Sequence, residues 1–188
     1  MKIMVETSAR HVHLTQEHLD ILFGEGYALT PKKDLSQPGQ FACVEKVEVV
    51  GPKGSLKMSI LGPVRPETQI EISKTETRTL GIDAPLRMSA DLEGTPGCKI
   101  IGPKGEITVD KGVIVAKRHA HFTPDDAKVF GVTDGQAIQI MLDYNGRSLI
   151  FGDVIARVSK TAGLAVHIDT DEANAAGLTG TVDGEAII

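Results

Sequence analysis

Two short segments of the chain repeat one pattern: Arg10-His-Val-His-Leu-Thr15 and Arg118-His-Ala-His-Phe-Thr123. Four of the six histidines fall inside them, which scattered surface histidines would not do. In an extended strand, residues i and i+2 project from the same face. Each His-x-His step therefore sets two imidazoles side by side, at a reach suited to one metal ion. Neutral imidazole ligates zinc and several neighbouring metals. His11, His13, His119 and His121 are read as metal ligands on that ground. Arg10 and Arg118 then point away from the histidines, and two roles stay open for them: an ion pair that holds the motif, or contact with an anionic substrate.

Other residues are less sharply marked. His167, in Leu164-Ala-Val-His-Ile168, lies on the polar side of an alternating run directly before a helix signal. It is either a solvated residue or a further ligand. His18 falls within a helical pattern and is expected at the surface. Glu71 alternates against Ile70 and Ile72, which suits an outward strand position or a carboxylate ligand. Arg65, in the loop after Gly62-Pro63, offers a planar fork of the kind that grips phosphate. Cys43 and Cys98 show no Cys-x-x-Cys spacing and read as reduced thiols without a chemical role. The sequence has no Walker phosphate loop, no Gly-x-Ser-x-Gly elbow and no dinucleotide-binding Gly-x-Gly-x-x-Gly.

The elements that must carry these side chains are mostly strands. Lys46-Val-Glu-Val-Val50, Gln69-Ile-Glu-Ile72, Gly112-Val-Ile-Val-Ala116, Ala137-Ile-Gln-Ile-Met141 and Val154-Ile-Ala-Arg-Val158 are short alternating or β-branched runs separated by Gly and Pro. Such a pattern reads as a barrel or sandwich. Four short helices are predicted after Thr15, Thr75, Thr123 and Thr170, each Thr serving as N-cap. They end at Gly24, Gly81, Gly131 and Gly177. Pro124, at the first helical position, marks the third most clearly. Val49-Val-Gly-Pro-Lys-Gly54 and Ile100-Ile-Gly-Pro-Lys-Gly105 form a second repeated pair, read as hairpin turns. The two repeats together imply duplication of a strand–helix and hairpin unit, and so two similar lobes meeting where the histidine pairs lie.

Composition narrows the function. A length of 188 residues suits one domain or two small intertwined ones. The net charge of −5, aromatic content of 4% and lack of Trp argue against a nucleic-acid partner, which needs a basic surface and stacking platforms. No run approaches the roughly 20 apolar residues that span a bilayer, so no membrane association is expected. The N-terminus runs straight into the first motif without a signal peptide, and a cytoplasmic protein is expected.

Six ordered blocks resemble the phosphate propanoyltransferase family, phosphotransacylases of the propanediol-utilisation type. They are Ser8-Ala-Arg-His-Val-His-Leu-Thr15, Lys33-Asp-Leu-Ser-Gln-Pro-Gly-Gln-Phe41, Leu61-Gly-Pro-Val-Arg65, Thr68-Gln-Ile-Glu-Ile-Ser73, Val115-Ala-Lys-Arg-His-Ala-His121 and His167-Ile-Asp-Thr-Asp-Glu-Ala-Asn174. The resemblance covers essentially the whole chain. It implies reversible exchange of CoA for inorganic phosphate on a short acyl group, propanoyl or acetyl. It also implies two divalent metal ions, of zinc type, one held by His11, His13 and Glu71 and the other by His119, His121 and His167. Arg65 would grip phosphate, and Ser8, Lys33, Leu61 and Asn174 would contact CoA. Family members often carry a basic residue where this chain has Ser59, which implies one missing CoA phosphate contact and weaker CoA binding.

The implied fold is mainly β: two β-barrel lobes capped by short α-helices. Residues 1–9 plus 117–188 would form one lobe and residues 10–116 the other, with a small insertion near 23–44. The expected chemistry is direct attack of phosphate in a ternary complex, without an acyl-enzyme. Two rival readings are a metal-dependent hydrolase of thioesters or related substrates, and a structural zinc module. A homodimer and association with a microcompartment are left open; no N-terminal targeting helix is seen.

Overall fold

The computed structural model describes residues 1–188. The chain opens with β1 (Lys2–Thr7), β2 (His11–His13), α1 (Gln16–Phe23), β3 (Pro31–Asp34), β4 (Phe41–Val50) and β5 (Ser55–Gly62). It continues through β6 (Gln69–Glu71), α2 (Lys74–Leu80), β7 (Leu86–Arg87), β8 (Cys98–Ile101), β9 (Glu106–Val109) and β10 (Val113–Ala116). The last part comprises β11 (His119–Phe122), α3 (Pro124–Phe130), β12 (Ala137–Leu142), β13 (Leu149–Val158), β14 (Ala165–Ile168), α4 (Thr170–Ala175) and β15 (Val182–Ile187). The architecture is mainly β with short helices, as the turn-punctuated runs predict.

These elements form two compact units. One comprises Met1–Ala9, Ser36–Pro38 and Lys117–Ile188, the other Arg10–Leu35 and Gly39–Ala116. In the first, six strands close into a barrel in the order β1-β14-β11-β13-β12-β15. Ile3, Val5, Phe122, Ile140, Leu142, Val154 and Val166 are among the residues that fill it. Alternation drives this: β12 and β15 bury every second residue, as strands with one wet face do. In the second unit a nine-stranded sheet curls without closing, in the order β7-β10-β6-β2-β5-β4-β8-β9 with β3 on β4. Its core is built on Val12, Leu14, Leu22, Val47, Val49, Ile60, Ile70 and Ile100. Of the two expected barrels, one is closed and the other is a half-barrel.

The two repeated motifs behave differently. The Arg-His-x-His strand followed by a helix occurs once in each unit, as β2-α1 and β11-α3. Both Gly-Pro-Lys-Gly turns lie in the second unit, joining β4 to β5 and β8 to β9. Each turn seals the end of a helix. The backbone N–H of Lys53 donates to the Leu80 carbonyl at the end of α2, and that of Lys104 to the Leu22 carbonyl near the end of α1, both at 3.0 Å. Those carbonyls otherwise have no partner within the helix. The approach is so close that a Cβ at Gly51 would sit 2.3 Å from the Leu80 oxygen, and one at Gly102 2.5 Å from the Leu22 oxygen. The second repeat therefore marks two helix ends closed in the same way.

Thr15 and Thr123 cap α1 and α3 as expected, accepting from the backbone N–H of His18 and Asp126, both at 3.1 Å. The other two caps lie earlier than the sequence suggests: Ser73 instead of Thr75, and Asp169 instead of Thr170. The reason is the reciprocal capping box, which needs an acid three residues on. Ser73 finds Glu76 and Asp169 finds Glu172, whereas the residues three beyond Thr75 and Thr170 are Arg78 and Ala173.

Candidate metal centres

Each His-x-His strand lies between two neighbours of opposite sense. β2 runs parallel to β5 and antiparallel to β6; β11 runs parallel to β13 and antiparallel to β14. In both cases the antiparallel neighbour puts a donor directly opposite the first histidine. His11 pairs in register with Glu71, and His119 with His167. Residues directly opposite in such a pair have Cβ atoms roughly 4.5–5.5 Å apart. One i,i+2 step and one cross-strand step thus assemble three donors. His11, His13 and Glu71 form one cluster and His119, His121 and His167 the other, with the ligand atoms of each within 4.8 Å of one another.

The donor chemistry fits a divalent ion. Two imidazoles with a carboxylate, or three imidazoles alone, are sets that hold catalytic zinc while leaving a position open. His11 Nε2 and Glu71 Oε2 are 3.5 Å apart. Two donors at roughly 2.0–2.1 Å from a tetrahedral zinc lie about 3.4 Å apart, so the spacing suits a shared ion. Backbone carbonyls can only accept, so the Nδ1–H of His119 donates to Lys117 O at 2.8 Å and that of His13 to Leu61 O at 3.2 Å. Both rings keep Nε2 for an ion. Burial pushes the His13 imidazole down to about 2, with His11 and Arg65 adding to the effect. Burial likewise pushes His121 down to about 3, helped by His119, His167 and Arg157. Both are neutral near pH 7, the form that ligates.

The residues around the ligands are equally ordered. Glu71, His11 and His13 are buried. The Gln69 amide donates to Glu71 Oε1 at 2.6 Å and to Ser89 Oγ at 2.9 Å, while its oxygen accepts the Ala90 N–H at 2.7 Å. Ala90 adopts φ 76, a conformation an alanine holds only under constraint, and it is this turn that aims its N–H at Gln69. With Oε1 of Glu71 engaged by Gln69, Oε2 faces His11. Arg65 Nη1 donates to the same Ser89 Oγ at 3.2 Å, which ties the arginine to the network behind the glutamate.

Arg10 and Arg118 take the ion-pair role. Arg10 Nη1 lies 2.6 Å from Glu76 Oε1, and Arg118 Nε 3.2 Å from Glu172 Oε1. The second oxygen of each glutamate accepts the N–H of its cap residue, Ser73 or Asp169. One carboxylate thus closes the helix that follows the third ligand and also anchors the arginine that precedes the first. The pattern ligand-Ile-cap-x-x-Glu occurs as Glu71-Ile-Ser-Lys-Thr-Glu76 and as His167-Ile-Asp-Thr-Asp-Glu172. The two strand spacings could have revealed it.

Ser8 donates its N–H to Ile168 O at 2.8 Å beside the end of β14, and Asn174 is exposed on α4 immediately beyond. Lys33 stands on the exposed strand β3, and Leu61 is the half-buried residue whose carbonyl orients His13. Ser59 lies in register beside His11 on β5. His18 is half-buried, its Nδ1 2.7 Å from Thr68 Oγ1, because the first turn of α1 lies against that buried threonine. Cys43 and Cys98 are free and buried, and burial pushes their thiols up to about 11 and about 12. Neither is a nucleophile at neutral pH. Sequence patterns missed Glu6, which contacts His167 from β1.

A closed barrel and a half-barrel, each presenting one His-x-His-based cluster across two strands, define a class of β proteins with two candidate metal centres. The chain belongs to the phosphate propanoyltransferase family, whose model matches residues 4–179. It is thus a member of an acyltransferase family. A phosphate propanoyltransferase of Thermotoga maritima is 54% identical over 175 residues, 93% of this chain and 83% of that protein. One from Clostridioides difficile is 54% identical over 182 residues, 96% of this chain and 87% of the other. One from Listeria monocytogenes is 47% identical over 186 residues, 98% and 87% respectively.

Proposed function

We propose that the protein transfers a short acyl group, propanoyl or acetyl, reversibly between CoA and inorganic phosphate, by direct attack in a ternary complex. The observation that carries this reading is the pair of matched donor clusters, His11/His13/Glu71 and His119/His121/His167, within a chain of this family. Each cluster holds one divalent ion, zinc by its nitrogen-rich donors. When bound, such an ion supplies Lewis acidity, drawing charge from phosphate or thioester oxygens. Arg65 binds phosphate through its planar fork and holds it in line with the thioester carbon. A phosphate oxygen forms the bond to the acyl carbon, the C–S bond breaks, and its electron pair leaves with the CoA sulfur. Ser8, Lys33, Leu61 and Asn174 contact CoA. The free, buried cysteines suit a reducing cytoplasm and leave no thiol to carry an acyl group.

The test is CoA release from acetyl-, propanoyl- and butanoyl-CoA by metal-analysed protein, with acyl phosphate trapped as its hydroxamate. Release should require phosphate and match hydroxamate formation mole for mole. Labelled CoA should not exchange into acyl-CoA unless phosphate is present, since that exchange needs an acyl-enzyme. Equal release without phosphate would identify a hydrolase instead. Two metal equivalents with no turnover of any of the three would leave the metals a structural role only.

A further inference from the structure

The two clusters differ in charge. Glu71 gives the first a carboxylate among its donors, whereas the donors of the second are three imidazoles. A carboxylate nevertheless stands behind the second. β1 runs parallel to β14 with Glu6 in register with His167. Glu6 Oε1 lies 2.7 Å from His167 Nε2. That separation distinguishes two geometries. Two donors on one tetrahedral ion would sit about 3.4 Å apart, whereas an N–H held by a carboxylate spans roughly 2.7–2.9 Å. The contact is a hydrogen bond. A carboxylate only accepts, so Nε2 carries the proton and Nδ1 is the lone pair that remains.

Glu6 is itself fixed. The Ser36 hydroxyl donates to the same Oε1, and its oxygen lies 3.3 Å from His167 Nε2. Gln37 holds Ser36 in place by pairing with both backbone groups of Gly163, donating to its carbonyl at 2.9 Å and accepting its N–H at 3.2 Å. Glycine is required there, because a Cβ at position 163 would lie 2.2 Å from the Ser36 carbonyl oxygen. Two residues of the loop between β3 and β4 thus serve one carboxylate in the barrel.

We propose that Glu6 is a positioning residue for the His119/His121/His167 centre. It holds His167 through Nε2–H so that Nδ1 faces the ion, and it gives that centre the negative charge that Glu71 gives the other directly. A ligating histidine whose second ring nitrogen donates to a carboxylate is better oriented and more basic. His167 therefore presents the opposite nitrogen from His119, which spends Nδ1–H on Lys117 O. The inference rests on the metal-binding part of the proposed function.

The test uses zinc-loaded full-length protein and two measurements. Competition with a chromophoric chelator gives the affinity of each ion. A long-range proton–nitrogen correlation spectrum of nitrogen-15 histidine-labelled protein gives the tautomers, with the His167 signals assigned by their loss in His167→Gln. Wild type should hold two equivalents, with His167 protonated at Nε2 and His119 at Nδ1. Glu6→Ala should weaken one ion by roughly ten- to a hundredfold and leave the other unchanged. Glu6→Gln, which keeps an acceptor but no charge, should fall between. Ser36→Ala, which keeps Glu6 but removes the hydroxyl that fixes it, should weaken the same ion by a smaller factor and serves if Glu6→Ala fails to fold. Unchanged affinity for both ions in Glu6→Ala, or a His167 protonated at Nδ1, would overturn the inference and leave the two-metal reading intact. Wild type that takes up no zinc would overturn both.

Discussion

At the scale of single residues, the site uses planar or forked groups where geometry matters and buries the groups that must stay neutral. Arg65 is the sharpest case. Its fork reaches Ser89, and its charge acts on His13. Lysine at this position would keep the charge but lose the bidentate fork. Arg65→Lys should raise the KM for phosphate roughly tenfold, and Arg65→Ala further, since hydrogen bonds to charged groups are worth about 1.5–3 kcal/mol. The KM for acyl-CoA and the metal content should be nearly unchanged. Steady-state kinetics with phosphate varied checks this, and a loss confined to acyl-CoA binding would refute the assignment. The histidine pairs are legible in the sequence because both imidazoles share one strand at i,i+2 spacing, and because the hexad recurs. Glu6 and Gln69 are not. Glu6 meets His167 across 161 positions of chain, and nothing in Met4-Val-Glu-Thr7 marks so distant a partner. Gln69 looks like an ordinary strand residue until the Ala90 turn is seen to hold its amide.

At the scale of elements, register and capping bring the donors together. The third candidate donor of each cluster lies directly opposite the first, and a helix closed by a Glu box follows it at once. Arg10–Glu76 and Arg118–Glu172 then tie that helix to the strand carrying the histidines. Strand runs and two of the four caps can be read from residue type alone. The other two caps depend on which residue has an acid three places on, and the cross-strand pairing depends on topology that local pattern does not contain. Helix C-termini depend on packing in the same way, as the Gly-Pro-Lys-Gly turns show. Gly102→Ala would press a methyl group against the Leu22 carbonyl and should cost about 1–3 kcal/mol, the usual range for overpacking. Gly152→Ala on β13 meets nothing within 4 Å and should be close to neutral. Urea unfolding of both variants, followed by circular dichroism, makes the comparison. Equal stability of the two would show that the turn does not need its glycine.

At the scale of the whole molecule, each unit has its own apolar core, and neither depends on a cysteine bridge. Val5, Phe122 and Ile140 fill the barrel, while Val12, Leu22 and Ile70 fill the half-barrel. Closure of one sheet and not the other could not be read from the strand runs, since both show the same alternation. What differs is pairing: β1 bonds both β14 and β15 and completes the ring, whereas β7 and β9 remain as edges. Folding on apolar cores implies that metal removal should weaken the protein without unfolding it. An ion at a hundred times its dissociation constant adds about 2.7 kcal/mol, so chelation should lower Tm by several degrees and leave a cooperative transition. The ion-free protein should also be more acid-sensitive. His13 and His121 are held near 2 and 3 in the folded chain, below the 6.5 of the unfolded one. Between those values the unfolded state binds more protons, so stability is fully present above about pH 6.5 and is lost as pH falls toward 3. The slope should approach two protons, and zinc should suppress it until acid displaces the ion. Calorimetry of chelated and zinc-loaded protein from pH 8 to pH 4 measures both effects. Loss of the cooperative transition on chelation at pH 8 would make the metals the source of the fold rather than guests within it.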